Sequence, residues 1–170
     1  MYDNLLANVP TELYIGGQWR PAADKDRFDV IDPATEAKIT SVASGGTEDA
    51  EAAVDAASEA FPGWAARKPR ERGEILRKAF ELILQQSERF ARLMTLENGK
   101  ALADSRAEVA YAAEFFRWYA EEAVRNIGEV SRAPTSGARI LVQHRPAGVG
   151  FKMSSGRMMT RYVISAELLT

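Results

Sequence analysis

The chain has 170 residues, 46% hydrophobic and 27% charged, with a formal net charge of −2; this is the make-up of a soluble globular domain with its own core, without the basic excess that nucleic acid or an anionic membrane would select. It has no cysteine and one histidine, His144. That excludes disulfides, thiolate nucleophiles, thiolate-bound metals and a multi-histidine metal site within one chain.

The opening stretch, MYDNLLANVPTELYIGG, has no basic region and carries Asp3 and Glu12, so no secretory signal is expected. No apolar run approaches the roughly 20 residues of a spanning helix, and the expected location is the cytoplasm. Residues 12–19, ELYIGGQW, place Gly16-Gly17 between short apolar flanks and predict a tight β-hairpin. RFDVID alternates, with Phe28 and Val30 on one side. DPATE then reads as a turn with Pro33 fixing φ, and residues 37–43 as a strand ended by Gly45-Gly46.

The next 80 or so residues carry helical periodicity. Thr47 is the expected N-cap of a first helix, with Glu48 and Asp49 at its positive end. Ala50, Ala53, Val54, Ala57 and Phe61 form its apolar stripe, and Pro62-Gly63 is expected to stop it. A second helix is predicted from about 70 to 86, with Ile75, Leu76, Ala79, Phe80 and Ile83 inward. Ser87 is the expected cap of a third, carrying Phe90, Leu93, Met94 and Leu96 and ending at Asn98-Gly99 in a left-handed cap. A fourth, from about 102 to 126 and roughly 35–40 Å long, is expected to bury Val109, Ala112, Ala113, Phe116, Ala120, Ala123 and Ile127 and to end at Gly128. Pro134, Ser136 and Gly137 mark a loop, and ARILVQH a strong strand broken by Pro146 and Gly148.

The residues that resemble catalytic groups have simpler readings. Glu121-Glu122 are adjacent on a helix and point about 100° apart, so they read as a solvated face rather than an acid pair. RKPRERGEILRK is interrupted by Glu71 and Glu74 and reads as a solvated helix start rather than a phosphate site. None of the glycine steps fits a dinucleotide or P-loop fingerprint, and Ser154-Ser155-Gly156 is not a nucleophile elbow. His144 reads as a surface residue, and Trp19, Trp64 and Trp118 as separate packing anchors. These patterns yield a mixed α/β domain with no catalytic, cofactor-binding or metal-binding residue to name.

The order of segments carries more. YIGGQW, FDVIDPATEAKITSVASGGTEDAEAAVDAASEAFPGW, RGEILRKAFELI, LENGKALADSRAEVAYAAEFFRWYAEEAVRNIGEV and ARILVQHRPAGVG follow one another as in the N-terminal third of the NAD(P)-dependent aldehyde dehydrogenase superfamily, which residues 13–149 resemble. Trp118-Tyr119 followed by Ala-Glu-Glu-Ala is similar to the succinate-semialdehyde dehydrogenase branch. The resemblance implies an α/β fold: N-terminal β-hairpins and a four-helix segment of a Rossmann-type cofactor domain, plus a protruding oligomerisation strand, the whole being incomplete. It divides the chain into residues 1–133, the N-terminal part of the NAD(P)-binding domain; 134–150, the oligomerisation strand and the start of the next core strand; and 151–170, a tail without family resemblance.

The resemblance also implies a chemistry. A cysteine thiolate attacks the aldehyde, hydride passes to the nicotinamide, and a glutamate-activated water releases the acid. After HRPAGV the family continues into an apolar strand and a Pro-Trp-Asn-Phe-Pro loop that supplies the oxyanion-hole asparagine. Here the chain reads GFKMSSGRMMTRYVISAELLT, with no asparagine after Asn126. Counterparts of the ribose-binding lysine, the general-base glutamate and the nucleophilic cysteine are absent. NAD or NADP is therefore the cofactor of the intact family, and none is expected to bind this stretch. The expectation is an inactive N-terminal piece whose frame breaks near Gly150; the other reading of the tail is a shortened paralogue with its own ending. The expected partners are intact homologous subunits or copies of itself, through Ala138, Arg139, Ile140, Leu141, Val142, Gln143 and His144, with no nucleic acid and no membrane. That strand makes an assembly module the alternative function, and an unrelated helical domain a third.

Overall fold

The computed structural model describes residues 3–150, so the tail assigned to residues 151–170 lies outside the described residues. Eleven elements follow in chain order: α1 Asp3–Leu6, β1 Leu13–Ile15, β2 Gln18–Arg20, β3 Arg27–Ile31, β4 Lys38–Ala43, α2 Thr47–Ala65, α3 Pro69–Gln85, α4 Ser87–Asn98, α5 Leu102–Glu122, β5 Glu129–Arg132 and β6 Arg139–Val142. The strands form three separate antiparallel hairpins, β1–β2, β3–β4 and β5–β6.

Local chemistry explains the first half. Gly16 and Gly17 have φ of 59° and 79°, the pair of positive values that a type I′ turn needs, and Ile15 faces Gln18 across it. In the second hairpin Phe28 and Val30 turn to one side, as their alternation predicts. Asp32 builds the connecting turn: its Oδ1 accepts the Ala34 N–H and its Oδ2 the Thr35 hydroxyl, both at 2.8 Å. Val30 and Val42 meet Leu93 of α4 in a buried cluster, with Leu6, Val9, Phe28 and Ile39 against it.

The start of α2 corrects the expectation for Thr47. The N-cap is Gly46, whose N–H donates to Asp49 Oδ2 at 3.1 Å. Asp49 is buried; it also accepts the Ala23 N–H at 3.2 Å and lies 3.6 Å from the Arg20 guanidinium. Its carboxylate ties the helix start to the segment after the first hairpin and takes the capping role a threonine hydroxyl was expected to fill. At the other end, Pro62 lies inside α2 and does not stop it. The helix continues because Trp64, one turn from the end, is buried, with the Arg67 guanidinium 5.9 Å from its ring centroid. A proline in the last turn removes one backbone donor, and the burial of an indole outweighs that loss.

Helices α3 and α4 run on with only Gln86 between them, and Ser87 makes no capping hydrogen bond. Gly99 closes α4 in the left-handed region, φ 69°, as its sequence predicts. Both helices pack on α5. The contact with α3 centres on Gly73, which is buried; a Cβ there would stand 2.7 Å from the Ala120 carbonyl oxygen. This turns the inward face of α3 onto Gly73 and Leu76 and leaves Ile75 at the exposed rim, contrary to the expected stripe. On the α4 side Ser105 is fully buried and its hydroxyl lies 2.9 Å from that of Thr95. Arg106 and Arg92 both donate to Glu88. Hydrogen bonds from Arg106 first and Arg92 second hold that carboxyl down to about 2.

Gly73→Ala will lower stability by about 1–3 kcal/mol in urea unfolding, because the overlap with a backbone carbonyl outweighs the roughly 1 kcal/mol that alanine gains in helix propensity. An unchanged or raised midpoint would mean that α3 and α5 separate at little cost.

The fourth helix stops earlier than expected. α5 has 21 residues, about 31 Å, and ends at Glu122. Ile127 therefore lies off the helix and is exposed, and Ala112 is exposed as well. Gly128 does not end the helix; it sits beside β6, where a Cβ would stand 2.1 Å from the Val142 carbonyl oxygen. Strand β5, which no strong alternation announces, pairs with β6 from Glu129–Val142 to Arg132–Arg139. No helix among the described residues is long and apolar enough to cross a membrane.

Candidate functional site

The groups singled out for possible chemistry remain dispersed. His144 is exposed, two residues past β6. Glu121 and Glu122 both face Arg125, at 3.9 and 2.8 Å, as surface ion pairs. The basic segment is answered locally: Arg77 pairs with Glu74 at 2.7 Å and with Glu81, and Arg72 Nη1 donates to the Arg67 carbonyl at 2.6 Å. No group of three potential metal ligands occurs among the described residues. Of the three tryptophans, Trp64 is buried, Trp19 is half-exposed against Tyr14 at 4.9 Å, and Trp118 is exposed and anchors nothing.

One passage has the outline of a nucleotide site. β4 leads through Gly45-Gly46 into the N-terminus of α2, a strand–glycine–helix order whose free N–H groups suit a pyrophosphate. The residues present do not fit that group. Asp49 already occupies the Gly46 N–H, Glu48 adds a second negative charge in the same turn, and β4 pairs antiparallel with β3. A dinucleotide phosphate would meet two carboxylates at the place where it needs donors.

What the described residues offer instead is surface. All residues of β5 and β6 are exposed. The register puts Val130 opposite Leu141 on one face and Ser131 opposite Ile140, then Glu129 opposite Val142, on the other. Apolar side chains therefore emerge from both sides of the ribbon, with Val130 72% and Leu141 64% exposed. The Ala133 N–H donates to the Ala138 carbonyl at 2.8 Å. Antiparallel pairs alternate, so 131–140 and 129–142 are also hydrogen-bonded pairs, and Arg139 and Leu141 turn their N–H and C=O groups outward. The strand 138–144 is thus not free on both sides, as the sequence alone suggests: β5 takes one edge, and the outer edge is carried by Arg139 and Leu141.

A second surface was missed in the sequence. Phe80, Ile83, Phe90 and Phe116, expected to lose their cover, are half-buried. The uncovered side chains are Tyr111, Phe115, Trp118 and Tyr119 on α5. Their spacing of i, i+4, i+7 and i+8 was legible in YAAEFFRWY as a second apolar stripe.

The aldehyde dehydrogenase family pattern matches residues 19–155. The chain is 53% identical over 110 residues to a succinate-semialdehyde dehydrogenase of Paenarthrobacter nicotinovorans, covering 65% of this chain and 24% of that protein. It is 41% identical over 135 residues to the succinate-semialdehyde dehydrogenase [NADP(+)] of Escherichia coli strain K12, covering 79% of this chain and 28% of that protein. Among solved structures, an E. coli NADP-dependent enzyme superposes with a TM-score of 0.74 at 38% identity, over 82% of this chain and 28% of that one. A succinate-semialdehyde dehydrogenase from Burkholderia pseudomallei does so at 0.71 and 38%, over 76% and 27%. The chain spans about a quarter of the length of the relatives it matches.

Proposed function

Since the chain belongs to the aldehyde dehydrogenase family, we propose that it is the N-terminal portion of an NAD(P)-dependent succinate-semialdehyde dehydrogenase, whose complete fold oxidises succinate semialdehyde to succinate. The observation that carries this reading is the 53% identity to an enzyme of that name. The present residues supply scaffold. They contain no cysteine, so the thiolate on which aldehyde oxidation in the family depends is not on this chain, and the misfit at the α2 N-terminus leaves it without a dinucleotide site among the described residues. Bound in a complete enzyme, NAD or NADP would take up the hydride.

The same reading gives the β5–β6 ribbon its role. A two-stranded ribbon that exposes apolar side chains on both faces and keeps an outer edge at Arg139 and Leu141 is suited to adding a strand to another subunit. The assembly element is placed at residues 129–144, since β5 and β6 are one hairpin, with residues 1–128 forming the N-terminal part of the cofactor domain.

A chimera tests the enzyme reading. Residues 19–149 of this chain, put in place of the matching stretch of the E. coli enzyme, are expected to leave succinate-semialdehyde oxidation within about tenfold of that parent in kcat/KM. A soluble, folded chimera that has lost the activity, or that prefers an unrelated aldehyde, would overturn it.

A further inference from the structure

Helix α5 is apolar on two separate sides. On one side Ser105, Val109 and Ala113 are buried against α3 and α4, with Phe116 and Ala120 half-buried beside them. On another lie Tyr111, 66% exposed, Phe115, Trp118, 60% exposed, and Tyr119. At about 100° per residue the centres of these two stripes are about 135° apart. The remaining side is the polar one: Arg106 donates to Glu88, and Arg117 pairs with Glu114 at 2.5 Å. A surface helix of a finished fold has one apolar stripe and one polar face; a helix apolar on two sides lies between two layers. The aromatic stripe is organised rather than scattered, since Tyr111 and Phe115 meet edge to face with centroids 4.9 Å apart.

We propose that this stripe is the docking face for the remainder of the aldehyde dehydrogenase fold, the catalytic portion that makes up nearly three quarters of the relatives and has no counterpart among the described residues. The proposal rests on the family assignment. The argument for this occupant is one of length and match. The chain follows the E. coli structure over 82% of its own residues but accounts for only 28% of that chain. Whatever forms the second layer over α5 in such a fold therefore comes from the other 72% or so. Its chemistry is that of an apolar surface able to seat four aromatic rings, with exposed Asp104, Glu108 and Glu122 bounding the stripe along the helix.

The test is capture in trans. The full 170-residue chain, tagged, is co-expressed with the E. coli succinate-semialdehyde dehydrogenase lacking its matching N-terminal stretch, and the amount co-purified is measured. The parent chain is expected to retain the E. coli portion. Phe115→Glu and Trp118→Glu are expected to cut retention at least about tenfold while leaving the thermal melt of the free chain unchanged, because both side chains are exposed in it. Arg117→Glu, on the polar side, is expected to retain the parent level. Three results would overturn the proposal: no capture by the parent chain, capture indifferent to both stripe variants, or loss of the chain's own self-association in Phe115→Glu, which would assign the face to a second copy. The chimera described above reads the enzyme assignment separately, because there the whole fold is supplied in one chain.

Discussion

Given succinate semialdehyde and either NAD or NADP, the purified 170-residue chain will turn over at least about 10⁴-fold more slowly than a complete dehydrogenase of this family, and its rate will not rise above a protein-free blank. The size of the effect follows from what a nucleophile contributes. Removing the attacking group from an enzyme that works by covalent catalysis costs on the order of 10⁴ or more in rate, because binding and electrostatic stabilisation alone cannot replace the bond it forms. This chain has no thiol at all. Its buried hydroxyl, Ser105, is held against Thr95, and its buried carboxylates Asp32 and Asp49 are bound to backbone N–H groups. Nothing among these is poised to attack a carbonyl. The assay follows NAD(P)H absorbance with protein from a host lacking its own succinate-semialdehyde dehydrogenase. Turnover that tracks this chain through purification would mean a different chemistry and a different function.

The second large effect is on association. The purified chain will elute as oligomers by light scattering behind a sizing column, and Leu141→Pro will shift it toward monomer with at least about a tenfold weaker dissociation constant. Leu141 presents its N–H on the outer edge, so proline removes a donor there and leaves the hairpin bonds in place. Leu141→Lys acts on the face it shares with Val130, and is expected to weaken association as well. Val142→Pro is the wrong probe of that edge. The Val142 N–H belongs to the hydrogen-bonded pair with Glu129, so this change breaks the ribbon itself. A parent that runs as a compact monomer with a cooperative melt would show that the exposed ribbon recruits nothing.

The family and much of the local architecture were legible in the residues. Gly16-Gly17 makes a hairpin because few other pairs tolerate two positive φ values in succession, and Gly99 ends α4 for the same reason. The inward faces of α2 and α4 follow from spacing alone, with Ala53, Leu93 and Leu96 buried as expected. The absence of a catalytic centre was equally readable, because no arrangement of the chain can supply a thiol it does not contain.

Contacts between distant residues decided the rest. Pro62 reads as a stop, yet the helix passes it because Trp64 finds a buried site beyond. Gly73 looks like a weak point in a helix and is instead the place where two backbones meet. β5 has little pattern of its own; it is a strand because β6 pairs with it. Whether an aromatic at a helical position is core or surface depends on which layers are present, so Phe116 is half-buried while Trp118, two residues on, is exposed. Turns and caps depend on the dihedral preferences of one or two residues, which the sequence carries. Close approach, strand pairing and the covering of a second face depend on partners far along the chain, and only the folded arrangement supplies those.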